Sequence, residues 1–190
     1  MKGRILWIGF LIIILLSSFY QNENRIHPTG FQPPVIREFM NNAYLSSLFE
    51  IQLGQLAKQK ALSQHVQNYG LLMERDHKEV NEELKRILIN ASLSVPQSIT
   101  KKQQKTLDKL SKKSGNDFDQ SYMELMIEDH MSNIKYFESV QSQAADPELK
   151  RWIENTLLLL RDHLERGNFV LRQINTSAIH FISPEVKEYV

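Results

Sequence analysis

The sequence predicts an all-α chain, an antiparallel four-helix bundle with one long crossover between its second and third helices. Three observations carry this. Four stretches of roughly 28 residues place apolar side chains at steps of three and four, the period of one helix face. The prolines fall outside these stretches or at their first turn. The dipeptide Asp-His occurs three times, as Asp76-His77, Asp129-His130 and Asp162-His163, each near the middle of one stretch.

Composition narrows the chemistry. The 190 residues suffice for one domain with a core. With 23 basic and 22 acidic residues the net charge is +1, so no nucleic-acid partner is expected. The absence of cysteine excludes disulfides, thiolate zinc sites, iron–sulfur clusters and cysteine nucleophiles. Residues 1–20 have the order of an export signal: Lys2 and Arg4, an apolar run from Ile5 to Leu16 broken only by Gly9, then Ser17-Ser18. The run is short for a spanning helix, which needs ~20 apolar residues. A signal peptide or an N-terminal anchor are the two alternatives. Both place the domain outside the cytoplasm, in the periplasm or outer cell envelope. Membrane contact is expected only through this segment, if it is retained.

Residues 21–34 form a linker ending in Pro33-Pro34, which stops a helix and opens the next. The first helix is expected over about residues 35–62. It carries a narrow stripe of small residues, Ala43, Ser47, Gly54, Ala57 and Ala61, on which Glu50 is the only acid. Such a stripe lets a neighbouring helix approach closely. The second helix spans about residues 64–91, with Val66, Tyr69, Met73, His77, Val80, Leu84 and Ile87 on one stripe. Glu74 precedes His77 by three and can meet it. Residues 92–115 connect the second helix to the third. They contain Pro96 and a short basic helix over about residues 100–111, either a solvated face or a contact for anionic lipid or polymer. The third helix, about residues 116–143, has His130 on a stripe with Phe118, Tyr122, Met126, Ile134 and Phe137. Asp146 and Pro147 start the fourth helix, which has His163 on its stripe and is expected to end near Ile174. The bundle thus covers residues 35–174, and residues 175–190 read as a tail.

The helices also echo one another. Tyr69, Leu72, Met73, Asp76, His77 and Leu84 align at +53 with Tyr122, Leu125, Met126, Asp129, His130 and Phe137. Depth brings the polar residues together. Glu50 lies 13 residues before Ser63 and His77 lies 14 after it. His130 lies 15 before Ala145 and His163 lies 18 after it. The second-to-third connection can run the length of the bundle at ~3.3 Å per extended residue. An up-down, crossover, down-up arrangement then sets all four at the midplane.

A bundle with one long crossover and inward side chains at midplane is ferritin-like in plan. The segments EIQLGQLAKQKA (50–61), MERDHKEVNEELK (73–85), GNDFDQSYMELMIEDH (115–130) and LRDHLE (160–165) resemble the bacterial family called domain of unknown function 4142. The resemblance covers roughly residues 35–172. It implies an exported ferritin-like bundle and no established activity.

Two functions fit the layer. In one, Glu50, His77, His130 and His163 hold a single transition-metal ion, zinc, iron, copper or manganese, with Glu74, Asp76, Asp129 and Asp162 as supporting partners of the histidines. In the other, the protein is a structural or stress-related envelope protein, and the layer is a buried polar network that only specifies the bundle. A di-iron carboxylate centre needs Glu-x-x-His on two helices. Only Glu74 and His77 supply it, since Ile127 and Leu160 stand three before His130 and His163. No catalytic residue is therefore assigned.

Overall fold

The structure, a computed structural model, describes residues 32–182, of which 177–182 are described as helix alone. The expected signal or anchor at residues 1–20 and nearly all of the linker lie outside the described residues, as does the end of the tail. The fold is all-helical, with no strand among the described residues. Its elements are α1 (Pro34–Lys60), α2 (Gln64–Asn90), α3 (Lys101–Ser111), α4 (Gly115–Gln141) and α5 (Pro147–Ile182). No described helix is long and apolar enough to cross a membrane.

Each helix starts where local chemistry permits. Pro34 opens α1, where its missing N–H would have had no intrahelical partner. Asp146 Oδ1 accepts from Leu149 N at 2.8 Å and caps α5. Thr100 and Gln103 form a reciprocal capping box at α3. The corner between α1 and α2 is held from outside. The carboxylate of Asp119, on α4, accepts from Leu62 N at 3.0 Å and Ser63 N at 2.7 Å.

The four long helices pack side by side, α1 against α2 and α4, and α5 against α2 and α4. Neighbours are antiparallel. Along α1, Ser47 meets His77 and Gly54 meets Gly70. Asn42 reaches Tyr136 while Leu62 reaches Asp119. Between α2 and α5, Tyr69 donates to the His163 carbonyl and Trp152 to the Val80 carbonyl. Helices α2 and α4 therefore run the same way across the diagonal, and residues 91–114, including α3, carry the chain from one end to the other. One expected boundary is corrected. The last helix does not stop near Ile174 but continues to Ile182, two residues before Pro184. The polar residues at 175–177 do not break it, because Asn, Thr and Ser are only weakly unfavourable inside a helix.

Two apolar clusters fill the interior. One gathers Phe39, Leu84, Phe137 and Trp152, with the Phe39 and Phe137 rings edge-on at 4.9 Å. The other gathers Leu53, Tyr69, Met73, Phe118, Tyr122 and Met126. His77, His130 and His163 lie between them on their helices.

The small-residue stripe does what its composition suggests. A Cβ added at Gly54 would lie 2.5 Å from the Gly70 carbonyl oxygen and 2.9 Å from Glu74 N. Both are backbone atoms, so α1 and α2 touch main chain to main chain there. Gly54→Ala gains about 1 kcal/mol of helix propensity but forces the helices apart, and such overpacking costs about 1–3 kcal/mol. The expected outcome is a net loss of stability and a lower urea midpoint with unchanged m-value; a midpoint at or above that of the unsubstituted protein would contradict the close contact.

Candidate metal centre

Four polar side chains meet in the layer between the apolar clusters. Glu50 (α1), His130 (α4) and His163 (α5) are fully buried and His77 (α2) is 2% exposed. Burying such groups is tolerable only when their hydrogen-bonding and charge needs are met. One ligand atom from each histidine lies within 4.8 Å of the other two. The carboxylate of Glu50 is in the same place, with Oε2 at 2.6 Å from His77 Nε2 and 3.6 Å from His130 Nε2.

The outer nitrogen of each ring decides what the inner one can do. A carbonyl only accepts, so His130 donates through Nδ1 to Met126 O at 2.8 Å, and its Nε2 is left with a lone pair. The carboxylate of Asp76 lies 2.9 Å from His163 Nε2, so that nitrogen carries the proton and Nδ1 is bare. Ser47 Oγ is 3.0 Å from the His77 carbonyl and 3.2 Å from His77 Nδ1. The hydroxyl donates to the carbonyl and meets Nδ1 as well, so Ser47 does not fix the tautomer of His77. Two bare nitrogens are thereby turned inward. They are His130 Nε2 and His163 Nδ1, which face each other at 3.3 Å. Ligands ~2.0–2.1 Å from a tetrahedral ion stand about that far apart. His77 Nε2 and Glu50 Oε2 stand 2.6 Å apart, closer than two lone pairs lie without a proton or a cation between them, and neither has another partner. The three histidine nitrogens could hold a metal ion.

The supporting carboxylates divide. Only Asp76 bonds a histidine. Burial opposes its ionisation, but its bonds to Arg75 and His163 outweigh that and hold its pKa below the usual range. Asp129 stands behind Glu50 instead of a histidine. Asn133 Nδ2 bridges them, at 3.0 Å from Glu50 Oε1 and 3.2 Å from Asp129 Oδ2. Two expectations are corrected. Glu74 turns to the α1–α2 seam and binds Lys58, Lys78 and Gln55, and the two lysine bonds hold its pKa down to about 2. Asp162 is half-exposed and pairs with Arg166. The reason is rotational. Each aspartate sits ~100° round from its histidine, which points Asp76 at α5 and Asp129 at α1 but leaves Asp162 on a surface cleft. Sequence reasoning missed Ser46 and Asn133, and took Ser47 only as a small residue. A signal existed, since Ser46 and Ser47 precede Glu50 by four and three and Asn133 follows His130 by three, all one turn away.

Burial drives the histidine pKa values down, to about 4 for His77 and His163, and lowers that of His130. Burial and the neighbouring Glu50 charge push Asp129 up to about 8. The sign for the metal-free protein follows. Between about pH 6.5 and 4 the unfolded chain binds protons on three histidines that the fold keeps neutral, while the fold holds one on Asp129 that the unfolded chain releases. The balance favours the unfolded chain, so stability falls as pH drops through this window. Between about pH 6.5 and 8 only Asp129 acts, and stability falls as pH rises. Urea titrations of chelator-treated protein should therefore peak near neutral pH. A monotonic rise from pH 4 to 9 would show that Asp129 is not held protonated.

No curated protein and no solved structure matches the chain. A family model does, over residues 30–168, which takes in all four layer residues. The chain belongs to the family described as Domain of unknown function (DUF4142).

Proposed function

We propose that this is an exported, ferritin-like four-helix-bundle protein that holds one transition-metal ion between its four long helices. The ligands are Glu50, His77, His130 and His163. The observation that carries the reading is the inward donor set: His130 Nε2 and His163 Nδ1, left bare by the bonds of their outer nitrogens, beside His77 Nε2 and Glu50 Oε2, which have no partner but each other. A divalent cation satisfies all four at once and neutralises the buried carboxylate. Imidazole and carboxylate without thiolate suit zinc, iron, copper or manganese. The ferritin-like assignment is supported by the antiparallel pairs α1/α2 and α4/α5 and by the long crossover between them. Export rests on the order of residues 1–20 alone.

The second reading is an envelope protein in which the layer only fixes helix register. The bonds Asp76–His163 and Asn133–Glu50, each joining different helices, favour it. The two readings separate in one experiment on protein lacking residues 1–25. Elemental analysis after exposure to zinc, iron, copper or manganese should find about one ion per chain. An ion present at ~100 times its Kd adds ~2.7 kcal/mol, which raises Tm by about 5–10 °C in a domain of this size. His130→Ala should lose both the ion and the shift. If no metal binds, and His77→Ala is destabilised equally with and without chelator, the register-only reading stands.

A further inference from the structure

The layer is enclosed, so an ion must reach it through a seam between helices. We infer that it passes through the cleft between α1, α3 and α4, with Asn133 as the gate. The inference rests on the metal reading above. The cleft has a volume of about 490 Å³, and Ser46, Asp129 and Asn133 line it. Its lining residues are mainly polar, and Glu128 offsets Lys102. Asn133 separates it from the layer. Its amide nitrogen is 3.0 Å from Ser46 Oγ, 3.0 Å from Glu50 Oε1 and 3.2 Å from Asp129 Oδ2. An amide has two hydrogens for these three acceptors, so one is always left out and the bonds can exchange without a large loss. The same oxygens form a continuous ladder for a hard cation, from Asp129 and the Asn133 carboxamide to Glu50, which then delivers it to the ring nitrogens.

Main-chain contact at Gly54 and Gly70 closes α1 against α2. The cleft between α2 and α5 is larger, about 610 Å³, but its floor is Asp76. Both oxygens of that carboxylate are engaged, by Arg75 Nε at 2.6 Å and His163 Nε2 at 2.9 Å. An ion passing there must break the bond that orients one of its own ligands. At Asn133 it displaces one neutral amide bond to Glu50, which the amide can exchange for Ser46 or Asp129.

The test follows the visible absorption of cobalt(II) mixed rapidly with metal-free full chain. Asn133→Leu should reach the same final amplitude as the unsubstituted protein but at a rate lower by about tenfold or more. Ser132→Trp, at an exposed position on the same cleft, guards against a folding defect in the first variant and should also be slow. Asn155→Trp, on the α2/α5 cleft, should bind at the unsubstituted rate. Unchanged rates in both Asn133→Leu and Ser132→Trp, or slowing confined to Asn155→Trp, would overturn the route. A folded Asn133→Leu that takes up no cobalt would make Asn133 a binding group and overturn its role as gate. If the unsubstituted protein takes up no cobalt, the metal centre itself falls, and the route with it.

Discussion

Everything in this protein turns on one constraint: a carboxylate and three imidazoles share an interior that water does not reach. An unsatisfied buried polar group costs about 1–3 kcal/mol, and a charged one more. The helices meet most of this from outside the layer. Met126 O and Asp76 each take one ring N–H, and Asn133 donates to one oxygen of Glu50. What is left over all faces the same small space. The three histidine nitrogens there could hold a metal ion.

Such convergence demands register, and the register is set elsewhere. Gly54 and Gly70 let α1 and α2 touch, which carries Glu50 to His77. Asp119 ties the α1–α2 corner to the start of α4 and so fixes the depth of His130 against both. Trp152 and Phe137, packed 5.5 Å apart in one apolar cluster, align α5 with α4. On the far side Tyr69 donates to the carbonyl of His163 itself. Apolar packing above and below thus positions the polar layer.

The helices and, apart from the end of α5, their ends were legible in the sequence because each depends on its own residues: a three-and-four period, Pro34, Asp146. The depth of Glu50, His77, His130 and His163 was legible because two short corners let residues be counted outward from them. Rotation was not legible. Whether the neighbour of a histidine points at another helix or at water depends on where that helix stands, so Asp76 and Asp162 look alike in sequence and part in space. Glu74 was misplaced for the same reason. Its spacing from His77 suggested a shared face, yet Lys58 and Gln55 reach it across the seam. Ser46 and Asn133 were missed because hydroxyls and amides are common on helices and mean something only once two helices meet.

The parallel course of α2 and α4 bears on ancestry. Were the chain a doubled hairpin, α1 would resemble α4 and α2 would resemble α5. The actual likeness, Tyr69 to His77 against Tyr122 to His130, joins α2 to α4, the second arm of one hairpin to the first arm of the other. Their partners meet across the diagonal, Tyr69 with Tyr122 at 6.3 Å and His77 with His130 at 5.8 Å. Simple duplication of a hairpin does not produce that pairing. Two helices that descend in the same direction past the same two cores and the same layer face the same demands at each level.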